Sequence, residues 1–499
     1  MELDRDLKSI QEARNLMENA VCAQRKFREY SQREIDCIVK AVAEACEEGA
    51  ELLGAMAAEE TGFGVPEDKT IKNILGSRTT YEYIRDMKTI GIINEDKEAG
   101  IMEVGVPVGV VVALIPSTNP TSTTMYKTLI SLKAGNSIII SPHPSAKKCI
   151  EKTVDIINDA LGETNAPNNI VQCVSNPSME ATETLMKHKD TGIILATGGE
   201  AMVKAAYSSG NPALGVGPGN GPAFIERTAD IHEAVRHIVE SKTFDNGTIC
   251  ASEQSVVVEE CMEEQVKTEM ERQGCYFMSD SESRQVGSFI MRGNNTMNPA
   301  IVGKSVEAIC EMTGINVPSG TKILVSKQNE IGYYNPYSRE KLCPILGFYV
   351  AHSWEDACGI CMKLLYNEGA GHTMTIHSKD DDIIREFALK KPVSRLLVNT
   401  AASLGGVGAT TSLAPAFTLG CGAVGGSATS DNVSPFNLMN VRRVAYGKKE
   451  VGDLRRDINS ADNRYVKNRK EDEELKISAE EISKITKEVL DSILKGNIR

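Results

Sequence analysis

No apolar run in this 499-residue chain approaches the roughly 20 residues that a membrane-spanning helix needs. The longest, Val108 to Pro116, is interrupted by glycine and ended by proline, so no membrane contact is expected. Met1-Glu2-Leu3-Asp4-Arg5 does not begin a signal peptide. The 13 cysteines are an odd number without a repeating interval, which speaks against a disulfide framework and for a reducing cytoplasm. Only Cys358-Gly359-Ile360-Cys361 has a C-x-x-C spacing, and the seven histidines contain no H-E-x-x-H, so no metal site is expected. A G-x-G-x-x-G after a first strand is also missing, which removes the standard dinucleotide fingerprint. The formal net charge of -13 argues against general attraction to nucleic acid or to anionic membrane. What remains is a chain long enough for two or three domains with large cores, suited to small-molecule chemistry.

Apolar residues recur at helical spacing from Asp4 to about Ala58, as in Leu16, Ala20, Ala23 and Phe27. Short apolar runs between Lys88 and Val104 predict a hairpin. Val108 to Ile115 is a nearly unbroken valine-rich run, the pattern of a strand buried on both faces of a parallel sheet. Strands are further predicted at 137–140, 170–174 and 192–196, separated by helices at 121–133, 147–161 and 181–187. This alternation is the mark of a doubly wound α/β sheet. A second α/β pattern begins near Ala229, with strands at 254–259, 321–325, 348–351, 372–377 and 395–399, and a late strand is predicted at 438–446. Lys448 to Lys476 carries both charges without a core pattern and reads as a linker. Ser478 and Glu481 then form a capping box with Ile477 and Ile482 as its staple, opening a helix whose stripe is Ile482, Ile485, Val489 and Ile493.

Phe244-Asp245-Asn246-Gly247-Thr248-Ile249-Cys250-Ala251-Ser252-Glu253-Gln254 places a cysteine just after an Asn-Gly turn, because glycine takes positive φ without steric cost. Cys250 sits where a helix gives way to a strand; it is either a small buried hydrophobe or a fixed, reachable nucleophile. Asn119, after Ile115-Pro116-Ser117-Thr118 at the end of the long buried strand, is either a turn former or an amide facing a ligand. Leu195-Ala196-Thr197-Gly198-Gly199-Glu200 is a strand-to-helix junction whose glycines let backbone approach a phosphate.

The F-D-N-G-x-x-C-A-S-E-Q segment resembles the nucleophile segment of the CoA-acylating branch of the aldehyde dehydrogenase superfamily. The resemblance runs from about Ala23 to Gly447 through several motifs in the family's order. It implies an α/β fold with a Rossmann-type cofactor-binding domain (1–87 and 104–228), a catalytic domain (229–425), a β-arm for oligomerisation (88–103 and 426–447), a linker (448–476) and a tail helix (477–499). It implies Cys250 as nucleophile and Asn119 as oxyanion donor. Cofactor contacts follow from Thr118, Thr197, Gly198, Gly199 and Gly217, from the Ser141-Pro142-His143-Pro144 pattern, and from Glu340 and Leu342, with Glu340 on the nicotinamide ribose. NAD is the implied cofactor, NADP staying open, and coenzyme A the implied co-substrate.

An aldehyde carbon releases hydride only after a nucleophile has added to it, and a thiolate does this through a thiohemiacetal, leaving a thioester. Where hydrolytic members read E-L-G-G-K-S-P, this chain has Val216-Gly217-Pro218-Gly219-Asn220-Gly221-Pro222. Valine cannot take a proton from water, so the thioester is expected to wait for a thiol. The expected activity is reversible CoA-dependent oxidation of a short-chain aldehyde. The alternatives are a hydrolytic aldehyde dehydrogenase with another base, an acyl-phosphate reductase, and a shell or scaffold protein without catalysis. A fused alcohol dehydrogenase of some relatives is not expected here. The resemblance further implies a homodimer or homotetramer, and the tail helix resembles peptides that direct enzymes into bacterial microcompartments. The expected location is the bacterial cytoplasm, inside such a compartment.

Overall fold

The computed structural model describes residues 4–293, 296–456, 458 and 478–494, with the side chains of 492–494 excepted. The chain divides into two compact units, Met1–Ile93 with Val104–Arg442, and Asn94–Glu103 with Arg443–Arg499. Four helices lead the first unit: Arg5–Phe27, Gln32–Glu48, Ala50–Thr61 and Pro66–Ile74. Pro66 opens the fourth, where its missing N–H leaves no bond unmade. The predicted hairpin is present as β1 (Gly91–Asp96) and β2 (Ile101–Pro107).

Five parallel strands follow: β3 (Val110–Ile115), β4 (Ser137–Pro142), β5 (Val171–Cys173), β6 (Thr191–Thr197) and β7 (Ala213–Val216), in the order β5-β4-β3-β6-β7. Side chains alternate across this sheet, Val111 and Ile138 packing in the core on one face, Val112 and Ile139 in that on the other. Helices on both faces explain why all six residues of β3 are buried. The chain order reverses between β3 and β6, where Val112 pairs with Ile194. In such sheets the crevice beyond the carboxyl ends of those strands receives ligands. The segments leaving it are 116–119 and 198–199.

A second parallel sheet comprises β8 (Gly221–Ile225), β9 (Glu253–Glu259), β10 (Cys275–Phe277), β11 (Ile323–Lys327), β12 (Ile345–Ala351), β13 (Gly371–His377) and β14 (Val393–Val398). Its order is β10-β11-β12-β9-β8-β13-β14. The sequence reading puts 221–225 in the cofactor-binding part, but β8 pairs with β9 and β13. Residues 217–220 are enough to cross from one sheet to the other, and a strand's partners are chosen by apolar faces brought from elsewhere in the chain. β7 (Ala-Leu-Gly-Val) and β8 (Gly-Pro-Ala-Phe-Ile) escape prediction because glycine and proline break their short apolar runs, and β10 because its three residues stand in no longer apolar run.

β15 (Met439–Ala445) completes a three-stranded sheet in the order β1-β2-β15. Within the second unit Arg443 pairs with Glu103 at 3.1 Å and the Tyr446 N–H donates to the Gly100 carbonyl at 3.0 Å. The helix Ala479–Leu494 is capped as expected: the Ser478 N–H donates to Glu481 at 3.0 Å and the Glu481 N–H to Ser478 Oγ at 3.3 Å. Ile482, Ile485 and Val489 are exposed. Ile477, most of the expected linker and the Ile493 side chain lie outside the described residues. Among the described residues no helix is long and apolar enough to cross a membrane.

Candidate active site

The helix Ile231–Thr243 delivers the chain to a tight turn in which Asp245, Asn246 and Gly247 have φ of 50°, 51° and 76°. Gly247 was expected there; two further left-handed residues were not, and they persist only because their side chains are held. The Asp245 carboxylate accepts from the Val65 N–H at 2.9 Å, Lys69 Nζ at 3.1 Å, Thr248 Oγ1 at 2.6 Å and, closer still, Lys72 Nζ. It reaches so far under the chain that a Cβ on Gly64 would stand 1.7 Å from Asp245 Oδ1. The Asn246 side chain donates to the Gly303 carbonyl at 3.0 Å. Cys250 thus follows a turn pinned on both sides.

Asn119 opens the helix Pro120–Lys133 at the end of β3. Lys72 Nζ donates to its Oδ1 at 2.7 Å, while its Nδ2 lies 3.4 Å from Thr118 Oγ1. From the same helix, Lys69 Nζ donates to the Thr118 carbonyl at 3.1 Å and Asn73 Oδ1 accepts from Thr121 Oγ1 at 2.7 Å.

Cys250 and Asn119 line one cavity of about 260 Å3 together with Thr118, His143, Thr197, Gly198, Gly199, Gly217, Glu340 and Leu342. An adjoining cavity of about 400 Å3 shares Pro116, His143, Thr197, Gly198 and Gly199 and adds Ser141, Pro142 and Pro144. The structure therefore gathers every candidate catalytic and cofactor-contact residue named from the sequence along two neighbouring cavities. Leu342 reaches the wall in a left-handed conformation, φ 48°, and backbone of this kind in a bulky residue concentrates at ligand sites. Val216 forms part of the wall where a hydrolytic base was expected to be missing.

Burial, helped by Glu340 and Cys421 and opposed by Arg395, pushes the Cys250 thiol up to about 12. Burial also lifts the Glu340 carboxyl, with Glu368 adding to it, up to about 8. Glu340 is held firmly: its Oε1 accepts from the Gly219 N–H at 2.8 Å, its own N–H donates to Glu368 at 2.6 Å, and the next residue's N–H donates to Gln254 at 3.1 Å. Gln254 lies on β9, four residues after Cys250, so one side chain ties the cysteine segment to the Glu340 loop. Burial lowers Lys72 to about 8, against the pull of Asp245. At Asp245 burial is outweighed by Lys72 and Lys69, and the carboxyl stays below its ordinary value.

Sequence reasoning missed Lys69, Lys72, Asp245 and Gly219. The one available signal was Asp68-Lys69-Thr70-Ile71-Lys72, two lysines one helical turn apart, a spacing that puts both on one face. It also missed the apolar walls, Ile249 beside Cys250 and, from distant segments, Met297, Val407, Phe417 and Leu419. Cys361, of the C-x-x-C, is buried in the helix Trp354–Asn367 and packs in a core. All 13 cysteines are free, and among the described residues no group of three His, Cys, Asp or Glu is placed to hold a metal.

The sequence profile of the aldehyde dehydrogenase family matches residues 6–337. Bifunctional aldehyde-alcohol dehydrogenase of Escherichia coli is 42% identical over 442 residues, 88% of this chain and 50% of that protein, so the chain spans about half the length of this relative. A probable aldehyde dehydrogenase of Listeria monocytogenes is 60% identical, with a TM-score of 0.90 over 91% of this chain and 100% of that one. An acetylating aldehyde dehydrogenase of Geobacillus thermoglucosidasius is 49% identical, with a TM-score of 0.89 over 90% and 99%. Two more distant structures have TM-scores of 0.79. One is a propionaldehyde dehydrogenase from a fucose utilisation microcompartment of Clostridium phytofermentans, 28% identical over 88% of this chain and 98% of that one. The other is that of Rhodopseudomonas palustris with bound propionyl-CoA, 27% identical over 87% and 94%. Two α/β sheets, a cysteine behind an Asn-Gly turn and a profile match over more than half of the sequence agree: the chain belongs to the aldehyde dehydrogenase family.

Proposed function

We propose that this protein oxidises a short, uncharged aldehyde with coenzyme A and NAD to acyl-CoA and NADH, reversibly, through a thioester on Cys250. The observation that carries the reading is a single cavity lined by a cysteine, an asparagine amide and, where a hydrolytic base belongs, the isopropyl group of Val216. Relatives support it: the Geobacillus enzyme is called acetylating, and the Rhodopseudomonas enzyme has been solved both with propionyl-CoA and with CoA beside an acylated cysteine.

Cys250 adds to the aldehyde carbon, and its proton leaves the site; Glu340, lifted to about 8 in the same cavity, is a proton acceptor suited to mildly alkaline conditions. Asn119 Nδ2 is the donor assigned to the resulting oxyanion. Bound NAD supplies the hydride acceptor. Cys250 is left holding an acyl thioester, which it passes to the thiol of CoA, one thioester forming as the other breaks.

The residues present fit the cofactor. Gly199 caps the helix Glu200–Tyr207 without a side-chain bond, and among the described residues a Cβ at Gly199 would meet nothing within 4 Å, so the first backbone N–H groups of that helix stay open to a pyrophosphate, and Gly217 lines the same cavity. Thr118, Ser141, Pro142, His143, Pro144, Thr197, Gly198 and Leu342 line the rest of that path, with Glu340 assigned to the nicotinamide ribose. Among the described residues neither cavity is lined by lysine or arginine, and burial holds His143 below its ordinary value. That favours NAD over NADP and a neutral aldehyde over an anionic one.

The five-stranded sheet is assigned to cofactor binding, the seven-stranded sheet to catalysis, and the β1-β2-β15 sheet to assembly into dimers or tetramers. The capped helix with exposed Ile482, Ile485 and Val489 is assigned to docking inside a microcompartment shell, where the Clostridium neighbour originates. The test of the activity is NADH formation from propionaldehyde and NAD with and without CoA. Turnover that needs CoA, with at most one burst per site in its absence, is expected; sustained turnover releasing free acid without CoA overturns the reading.

A further inference from the structure

The helix Pro66–Ile74 touches both segments that carry the proposed chemistry. Toward Asn119 it extends Lys69 to the Thr118 carbonyl, Lys72 to Asn119 Oδ1 and Asn73 to Thr121 Oγ1. Toward Cys250 it extends Lys69 and Lys72 to Asp245, and Lys72 also to Thr248 Oγ1 at 3.1 Å and to the Thr248 carbonyl at 3.3 Å. Both ammonium groups are almost fully buried.

An asparagine amide has two orientations that differ little in shape, but only the one presenting NH2 to the cavity stabilises an oxyanion. The other presents a carbonyl oxygen and repels it. A lysine ammonium is three donors and no acceptor, so beside Asn119 it tolerates only the orientation in which Oδ1 faces it. A cation on the amide oxygen also draws charge from the nitrogen and sharpens the opposite N–H groups as donors. Asn119 Nδ2 has one polar neighbour among the described residues, Thr118 Oγ1 at 3.4 Å, and so keeps a hydrogen for a ligand.

We propose that Lys72 is a positioning residue of the reaction: it selects and polarises the oxyanion-binding orientation of Asn119, and through Asp245 it locks that amide to the turn bearing Cys250. The proposal rests on the reading of Cys250 and Asn119 given above. It requires Lys72 to act through Asn119, which separates it from a lysine that merely neutralises Asp245, a task Lys69 shares.

The test is a double-substitution cycle on the full chain, with CoA-dependent NADH formation by the wild type measured in the same series. Lys72→Met is expected to lower kcat about 100-fold, the scale of one oxyanion donor, with KM for the aldehyde within about threefold. Asn119→Ala is expected to lose as much or more, and the double variant no more than Asn119→Ala alone, because removing the amide removes what Lys72 acts on. Alkylation of Cys250 by iodoacetamide creates no oxyanion, so its rate in Lys72→Met should stay within about twofold of wild type. Lys72→Arg keeps charged donors facing Oδ1 and should recover at least about tenfold over Lys72→Met; if Lys72→Met does not fold, a Lys72→Arg protein with wild-type KM and a lowered kcat that vanishes as a difference in the Asn119→Ala background carries the same conclusion. Additive losses in the cycle, or a Cys250 alkylation rate that falls in parallel with kcat, overturn the proposal. A wild-type protein without CoA-dependent NADH formation counts instead against the catalytic reading itself.

Discussion

Gly219 lies against Cys250: a Cβ built on Gly219 would stand 1.8 Å from the Cys250 carbonyl oxygen. Its N–H at the same time donates to Glu340 at 2.8 Å. One residue without a side chain thus sets the spacing between the thiol's backbone and the carboxylate across the cavity. Gly219→Ala must move one of these backbones. Overpacking of this kind costs about 1–3 kcal/mol, so a lower Tm is expected together with at least a tenfold loss of turnover, read by thermal unfolding and NADH formation.

Val216→Glu would put a carboxylate on the wall facing Cys250. If the thioester survives in the wild type because nothing there activates water, the variant should release free acid and continue forming NADH without CoA. Acid titration in parallel with NADH absorbance checks this. A variant as CoA-dependent as the wild type would show that water is excluded by something other than the missing base.

The ligand-free thiol should be sluggish. With Cys250 pushed up to about 12 from its ordinary 9.0, its thiolate fraction at pH 8 lies far below that of an ordinary thiol. The raised value means that the reactive form is gained only as pH climbs, so alkylation of Cys250 should still be rising above pH 10, while exposed Cys22, Cys37 and Cys261 react first. Peptide-resolved mass spectrometry after timed iodoacetamide treatment distinguishes them.

Glu340 bears on stability with a definite sign. Its carboxyl is lifted from 4.5 to about 8, so between those values the folded chain binds the proton and the unfolded chain does not. The contribution to stability therefore falls as pH rises through that window and is lowest above about 8. Glu340→Gln should flatten this part of the pH dependence of Tm; equal slopes in both proteins would contradict the assignment.

Charge should govern ligand choice. Among the described residues no lysine or arginine lines either cavity, so a 2′-phosphate or a carboxylate-bearing aldehyde finds no cation there. NADP in place of NAD, and succinate semialdehyde in place of propionaldehyde, are each expected to lower kcat/KM by at least tenfold, on the scale of a missing charged hydrogen bond.

The sequence by itself determined what neighbouring residues decide among themselves. β3 and β9 are legible because continuous apolar β-branched runs have few other resting places than a covered parallel sheet. The Asn-Gly turn before Cys250 is legible because positive φ is a property of glycine itself, and the Ser478–Glu481 cap because its donors and acceptors sit within three residues of each other. Tertiary structure alone decided the contacts that make a site of these parts. Asp245 meets Lys69 and Lys72 across 176 and 173 residues, Gly219 meets Glu340 across 121, and β8 chose the second sheet over the first. Such pairings, and the burial that moves Cys250, Glu340 and Lys72 from their ordinary protonation, follow from which distant surfaces exclude water together, and local periodicity carries no record of that.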